Sequence, residues 1–394
     1  MIVGFIGAPS AGKSTFFKAA TLANVEIANY PFTTIKPNHA VGYVKILCAD
    51  QFFKTQCNPR QGYCNDHNRF VPIDLMDVAG LVPGASEGKG QGNAFLDDLR
   101  NADILIHIVD ISGSTNENGE SVPVLSYDPL NTIKFLEEEL NIWYYGILKK
   151  GWDRFARLIK QEQSEVYKSI AKQLSGLKVT EEDVKETIKQ FPDDPTKWDD
   201  TLLFSLSKKL REKSKPMIIA ANKIDIVGSE KNLERARKEF SNYLIISCSA
   251  ESELALREAA KKNLIKYIPG ENNFKVISRD LSEKQIKALD FIKKDILERY
   301  NTSGVQNILN TAIFDFLKYI AVFPGGVNKL EDSQGRILPD CFLMPQNSTA
   351  LDFAYKLHTD LGKNFIRAID VKNKKTIGKD YILKHLDVIE IIAK

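Results

Sequence analysis

Apolar residues gather along the chain in short runs separated by longer amphipathic stretches. Ile2–Ile6, Val41–Leu47, Val71–Met76, Ile104–Asp110, Met217–Ala221 and Leu244–Cys248 are six such runs. Their length and their content of β-branched residues predict strands. Ile104–Asp110 and Met217–Ala221 have almost no polar alternation, as expected of strands buried on both faces of a parallel sheet. Ser14–Leu22, Phe95–Arg100, Arg235–Phe240 and Leu254–Tyr267 read as helices, with Phe16 and Phe17 on the inner side of the first. Strand and helix alternating in this way predict an α/β sheet domain.

The period changes after residue 128. Leu136, Leu140, Trp143 and Ile147, then Leu148, Trp152, Phe155 and Ile159, then Val166, Ile170, Leu174 and Leu177 fall at helical spacing. They predict one long amphipathic helix with coiled-coil character, bent or ended at Ser175-Gly176. Thr180 before Glu181-Glu182-Asp183 predicts the N-cap of a returning helix, Phe191–Pro195 breaks it, and a further helix reaches Lys213. Residues 129–212 therefore read as a helical insertion between two strands, either a packing appendage or a partner-docking arm. Helices at Ser282–Arg299 and Val305–Ile320 form a connector over residues 271–320. The final stretch has short strands at Leu317–Val322, leading into residues 321–394, and at Asp340–Leu343, Phe365–Asp370, Lys379–Leu383 and Asp387–Ile392, around a helix at Thr349–Leu361. That order suggests a small ubiquitin-like β-grasp module.

The candidate chemistry lies where strands end. The first strand runs into Gly7-Ala8-Pro9-Ser10-Ala11-Gly12-Lys13-Ser14, which fits the phosphate-binding loop G-x-x-x-x-G-K-[ST], with Thr15 following as a further nucleotide-binding candidate. Its glycines let backbone N–H groups converge, the helix N-terminus adds partial positive charge, Lys13 reaches the β- and γ-phosphates, and Ser14 offers a hydroxyl to Mg²⁺. Asn29–Asn38 follows as a proline-bracketed loop in which Thr33 and Thr34 are both candidates for Mg²⁺ and the γ-phosphate. Asp77-Val78-Ala79-Gly80 is a D-x-x-G: the carboxylate would hold Mg²⁺ through water, and the Gly80 N–H would bond the γ-phosphate. Leu81 stands where many GTPases carry the glutamine that orients water, and the glycine-rich run to Asn93 predicts a segment that orders on binding. Asn222-Lys223-Ile224-Asp225 is an N-K-x-D. Asp225 can accept from guanine N1–H and the 2-amino group, a donor pair adenine lacks, while Lys223 lies over the base and Asn222 ties this loop to the phosphate loop. Ser249-Ala250-Glu251 would bring a backbone N–H to guanine O6. The sheet domain then comprises residues 1–128 and 213–270, with residues 321–394 as the separate tail.

Composition adds exclusions. The chain has 394 residues and a net charge of +3, too mild to argue for nucleic acid by itself. No apolar stretch is long enough for a membrane span, and a core strand at the N-terminus leaves no room for a signal peptide, so a cytoplasmic protein is expected. Cys48, Cys57, Cys64, Cys248 and Cys341 are an odd set, expected as reduced thiols. Cys57 and Cys64, with His67 nearby, do not match a C-x₂-C ribbon and lack a local fourth ligand, so free thiols in a connecting loop are the expectation. His107, inside an apolar run, is expected to be a hydrogen-bonded core residue. Lys372-Asn373-Lys374-Lys375 is either a phosphate-binding edge or a solvated hairpin tip.

In order, Gly7–Thr15, Asn29–Asn38 (NYPFTTIKPN), Asp77–Asn93 (DVAGLVPGASEGKGQGN), Phe95–Arg100 and Ala354–Gly362 (AYKLHTDLG) resemble the Obg-related P-loop GTPases. More narrowly they resemble the YchF or Obg-like ATPase branch in its archaeal form, with a TGS module at the C-terminus. The resemblance implies a helical insertion, a TGS tail and association with the ribosome or ribosomal RNA. It places the switch threonine on Thr34, because the first of the pair varies in relatives. It groups Leu81 with GTPases that replace the catalytic glutamine by an apolar residue. Ser10 stands in place of an asparagine common in potassium-activated GTPases. Bacterial and eukaryotic YchF relatives lack the aspartate of N-K-x-D and are implied to prefer ATP, whereas this chain keeps Asp225. The expectation is a Mg²⁺-dependent nucleoside triphosphatase cycling between GTP and GDP, with ATP as the alternative. A nucleotide-stabilised RNA- or ribosome-binding module with negligible hydrolysis is the reading from another class.

Overall fold

A computed structural model describes residues 1–22, 39–78, 99–116 and 118–394. They form two compact units, residues 1–17 with 75–250 and residues 18–74 with 251–394. Among the described residues no helix is long and apolar enough to cross a membrane.

The first unit is built on parallel strands β1 (Ile2–Ile6), β5 (Ile104–Asp110), β6 (Met217–Asn222) and β7 (Leu244–Ser247), side by side in that order. The last residues of strand β4 (Asn68–Asp77) lie beside β1. Every residue of β5 and β6 is buried, which explains their unbroken apolar sequences. His107 is fully buried as expected, but neither ring nitrogen has a hydrogen-bond partner among the described residues. Burial pushes its pKa down to about 3, so it is a neutral core residue.

Between β5 and β6 the chain forms the insertion. Its first half is three helices rather than the single long one that the periodicity predicts: Pro129–Lys149, Trp152–Glu162 and Val166–Gln173. Gly151 and Gln163 take left-handed conformations (φ 76° and 51°), which end the first two helices while the apolar face continues. Thr180 caps Glu181–Ile188 in a reciprocal capping box with Asp183, and Asp199 caps Asp200–Ser214. Trp152 and Trp198 stack at 5.5 Å, and Trp198 Nε1 donates to the Pro192 carbonyl at 2.8 Å. One apolar cluster runs from Ile6, Met76, Leu105 and Met217 of the strands to Trp143, Trp152, Val184 and Trp198 of the insertion. The insertion is rooted in the sheet's own core.

In the second unit, β2 (His39–Leu47) and β3 (Tyr63–Asn65) both pair with β4. The stretch 49–70, which looks irregular in sequence, holds a 3₁₀ turn at Ala49–Gln51 and the β3–β4 hairpin, whose turn places Asp66 and His67 at positive φ. The helix expected to reach Tyr267 ends at Lys261: Asn263 turns left-handed (φ 56°), and Ile265–Tyr267 (β8) pairs with Phe274–Val276 (β9). A buried polar knot follows. Glu253 accepts from Arg257 Nε, Tyr267 Oη and Ser303 Oγ, and Arg257 passes through Gln306 to the Tyr43 carbonyl. Every member is hydrogen-bonded, as a desolvated ion pair requires.

The C-terminal sheet has the order β11 (Phe342–Pro345), β10 (Tyr319–Pro324), β14 (Val388–Ala393), β12 (Phe365–Asp370), β13 (Lys375–Ile377), with β10 and β14 parallel. The helix Ala350–Leu357 packs Ala350 and Phe353 into its core. Two expectations are corrected. The penultimate strand is Lys375–Ile377 rather than Lys379–Leu383, because the tight turn at 371–374 pairs Asp370 with Lys375 at once. The helix expected to run to Leu361 breaks at His358, which is extended and caps a second short helix, Thr359–Lys363.

Candidate functional site

The phosphate-loop sequence joins β1 to the helix Lys13–Thr21, at the carboxyl end of the parallel sheet where open α/β sheets form their binding crevice. Gly12 has φ 92°, and a Cβ there would lie 2.3 Å from Asn222 Nδ2. No other residue type fits both constraints. Asn222, last residue of β6, donates from Nδ2 to the Ala11 carbonyl at 2.9 Å and accepts at Oδ1 from the Ala250 N–H at 3.0 Å. The predicted tie is present, and it joins three loops rather than two. Ala250 thereby commits its N–H to Asn222. This narrows the base contact expected from the Ser249, Ala250 and Glu251 loop, in which Ser249 is buried and Glu251 exposed.

Lys13 turns inward from the loop. Its ammonium donates to the Val78 carbonyl and pairs with Asp77 at 3.6 Å. Burial lowers the Lys13 pKa and raises that of Asp77, each opposed by the charge of the other. Apart from that ion pair, Asp77 Oδ1 has no hydrogen-bond partner among the described residues. Ser14, the other metal candidate, is exposed. A carboxylate oxygen short of donors and an exposed hydroxyl are hard oxygen ligands of the kind Mg²⁺ takes, so the described residues fit that ion. Thr34 and Gly80 lie outside the described residues, as do Asn29–Asn38 and the segment from Leu81 to Asn93.

Lys223 sits at φ 62°, and its ammonium pairs with Asp110 Oδ2 at 2.9 Å. Sequence reasoning missed that anchor. Asp110 ends β5 and also accepts from Ser112, Ser114 and Thr115. Burial disfavours its charge, but hydrogen bonds from Ser112, Lys223, Thr115 and Ser114 outweigh burial and hold its pKa below the usual carboxylate range. The available signal was an aspartate at a strand end followed by hydroxyl residues at 112, 114 and 115. Asp225 is half-buried and makes no hydrogen bond or ion pair among the described residues, leaving both oxygens open to a ligand. The loop after Asp110 reaches the phosphate loop: a Cβ on Gly119 would lie 2.5 Å from Pro9 Cβ. Pro9, Gly12, Asn222, Lys223 and Asp110 thus form one connected rim, with Lys13 and Asp77 inside it. It can hold an anionic ligand at Lys13 and a base with paired N–H donors at Asp225.

Three family models match the chain: a 50S ribosome-binding GTPase over residues 2–138, the G4 motif-containing domain of Obg-like YGR210-like GTPases over 220–326, and a TGS domain over 332–393. A GTP-binding protein of Methanocaldococcus jannaschii is 48% identical over 100% of this chain and 99% of its own length. The ribosome-binding ATPase YchF of Bacillus subtilis is 32% identical over 67% of this chain and 70% of its own. The crystal structure of a GTP-binding protein from Pyrococcus horikoshii matches all of both chains at 37% identity with a TM-score of 0.77. The Schizosaccharomyces pombe YchF GTPase, 20% identical over 100% of this chain and 97% of its own, shares the fold with a TM-score of 0.61.

Proposed function

We propose a function from one premise: the chain belongs to the YchF and Obg-like branch of the P-loop GTPases. It is a Mg²⁺-dependent switch that binds and hydrolyses GTP and works in the cytoplasm on the ribosome. Gly7–Thr15 wraps the phosphates, with Lys13 leaving Val78 for the β- and γ-oxygens. Ser14 and Asp77, with Thr34, would hold Mg²⁺, which when bound draws charge from those oxygens. Gly80 would donate its N–H to the γ-phosphate. Asp225 accepts from guanine, Lys223 lies beside the base on its Asp110 anchor, and Ser249 to Glu251 closes the base pocket. The ribosome is a proposal by kinship, supported by the name of the B. subtilis relative.

The observation that carries the guanine reading is Asp225, a carboxylate with no hydrogen-bond or ion-pair partner among the described residues, two residues after the anchored Lys223. Adenine would leave it unpaired in the closed site, at a cost of about 1–3 kcal/mol. Titration with fluorescent GTP and ATP should show GTP bound at least about tenfold tighter, a difference of roughly 1.4 kcal/mol. Asp225→Asn should shift the preference towards xanthine nucleotides. Equal or tighter ATP binding by the wild type would favour the second reading, an ATPase, which the B. subtilis relative's name supports.

A further inference from the structure

Three thiols and a carboxylate that are scattered in sequence meet in the second unit. Cys48 follows β2, Asp50 lies in the 3₁₀ turn, Cys57 lies in the loop beyond it, and Cys64 is in β3. Their ligand atoms all lie within 4.8 Å of one another, with Cys48 Sγ 3.4 Å from Cys57 Sγ and Cys64 Sγ 3.9 Å from Asp50 Oδ2. Cys48, Asp50 and Cys57 are buried, Asp50 completely. We propose that Cys48, Cys57, Cys64 and Asp50 form a structural zinc site.

The geometry fits. Bonds of about 2.3 Å to sulfur in a tetrahedral site put neighbouring ligand atoms about 3.8 Å apart. The observed separations bracket that value, so small side-chain shifts would close the set around one ion. Three thiolates select a soft or borderline cation, and one carboxylate in place of a fourth cysteine suits zinc better than an iron–sulfur cluster. A disulfide between Cys48 and Cys57 would need the sulfurs at about 2.0 Å and would leave Cys64 and Asp50 unexplained.

The surroundings provide an independent observation. Arg69 is 1% exposed, and among the described residues no carboxylate pairs with it. Its Nη1 lies 3.6 Å from Cys57 Sγ, while its other contacts are the Leu338, Pro339 and Gln61 carbonyls. A buried guanidinium without an anion is costly, and a zinc-bound thiolate supplies one. Asp50 is oriented as metal-bound carboxylates are: Oδ1 faces His67 Nδ1 at 2.9 Å, and Oδ2 accepts the Cys57 N–H at 2.9 Å and lies 3.5 Å from Gln56 Nε2. Three thiolates and a carboxylate on Zn²⁺ carry a net −2, which the buried Arg69 guanidinium beside Cys57 partly balances. The cysteine spacing hid the site in the sequence, because two of the four ligands, Cys48 and Asp50, precede the pair that stands out.

Zinc would close the loop from Cys48 to Cys64. That loop is also where the second unit is tied to its C-terminal part, through Asn58 N–H to the Ile337 carbonyl at 2.8 Å, Arg60 N–H to the Pro339 carbonyl at 2.9 Å and an Arg60–Asp340 ion pair at 2.7 Å. The site is therefore a staple for a segment with little regular structure of its own.

The test uses the full chain, purified reduced and without chelator or polyhistidine tag. Elemental analysis should find about one zinc per chain, and a mercurial that titrates thiols should release it. Cys57→Ser and Cys64→Ser should each lower the zinc content at least about fivefold, while Cys341→Ser, outside the cluster, keeps it. Because a cysteine variant can fail to fold, the wild type is also loaded with Co²⁺, which should give thiolate-to-cobalt charge-transfer absorption and a tetrahedral ligand-field spectrum. Wild-type protein that takes up neither Zn²⁺ nor Co²⁺ when reduced, zinc retained in Cys57→Ser, or a Cys48–Cys57 disulfide in freshly isolated protein would each overturn the proposal.

Discussion

At the scale of single residues, Asn222 has the most consequences. Its amide satisfies an acceptor on the phosphate loop and a donor at Ala250, both in a site from which water is largely excluded. Asn222→Ala would orphan both groups, at about 1–3 kcal/mol each. GTP affinity should fall at least about tenfold by calorimetry, the equivalent of roughly 1.4 kcal/mol. An unchanged affinity would mean that the two loops hold their places without this tie. His107 gives a second residue-scale prediction. Its pKa, pushed down to about 3 by burial, lies below the roughly 6.5 of the unfolded chain. The unfolded state therefore binds the extra proton first, so stability is intact above pH about 6.5 and falls as the pH drops towards 3. The slope approaches about 1.4 kcal/mol per pH unit for this one group. In thermal melts between pH 6.5 and 5, His107→Leu should flatten the loss. Parallel curves for variant and wild type would show that the imidazole finds a partner.

At the scale of elements, the buried parallel strands were legible, while the short hairpin strands Tyr63–Asn65, Ile265–Tyr267 and Phe274–Val276 and the breaks between helices were not. β5 and β6 announce themselves because a strand covered on both faces must be apolar throughout. Asn222 and Lys13 were legible because their chemistry allows few substitutes. The insertion misled because helical periodicity continues across Gly151 and Gln163: both sides face the same core, and only a backbone angle marks the break. Lys379–Leu383 looked like a strand by composition, but the pairing of Asp370 with Lys375 set the register instead. The Asp110 anchor and the four-ligand cluster were missed because each is assembled by tertiary contacts from residues that are ordinary in isolation. The insertion can be tested optically, since all three tryptophans of the chain, Trp143, Trp152 and Trp198, lie within it. Leu206, fully buried in the same cluster, is a suitable probe. Leu206→Ala should destabilise by about 2–5 kcal/mol and lower the denaturant midpoint seen by tryptophan emission. GTP affinity at low temperature should change less than about threefold, because Leu206 lies among the insertion's apolar residues rather than on the nucleotide rim. Loss of nucleotide binding at temperatures where the emission is native would mean that the insertion shapes the site directly.

At the scale of the whole molecule, the proposed ribosome association has to be reconciled with a net charge of only +3. Binding to RNA phosphate then has to rest on local lysines. The β12–β13 hairpin presents Lys374 and Lys375 exposed at its tip, held by Asp370, which accepts from the Asn373 side chain at 2.7 Å. Lys372 is drawn away from that edge. Its ammonium lies 5.6 Å from the centre of the Phe52 ring, and burial lowers its pKa. The basic edge is therefore two lysines rather than three. Deleting residues 321–394 would be a poor test of it, because deletion removes the Leu338 and Pro339 carbonyls from buried Arg69 and damages the β3–β4 hairpin as well. Charge reversal in the full chain is cleaner. Lys374→Glu with Lys375→Glu should weaken co-sedimentation with ribosomal particles about tenfold at low salt and lower the salt slope by about 2, one for each phosphate that is no longer neutralised. GTP binding should not change, because neither lysine is among the residues that form the nucleotide rim. Ribosome binding that keeps its strength and its salt slope in this variant would move the RNA-facing surface elsewhere, with the helical insertion the next to be reversed.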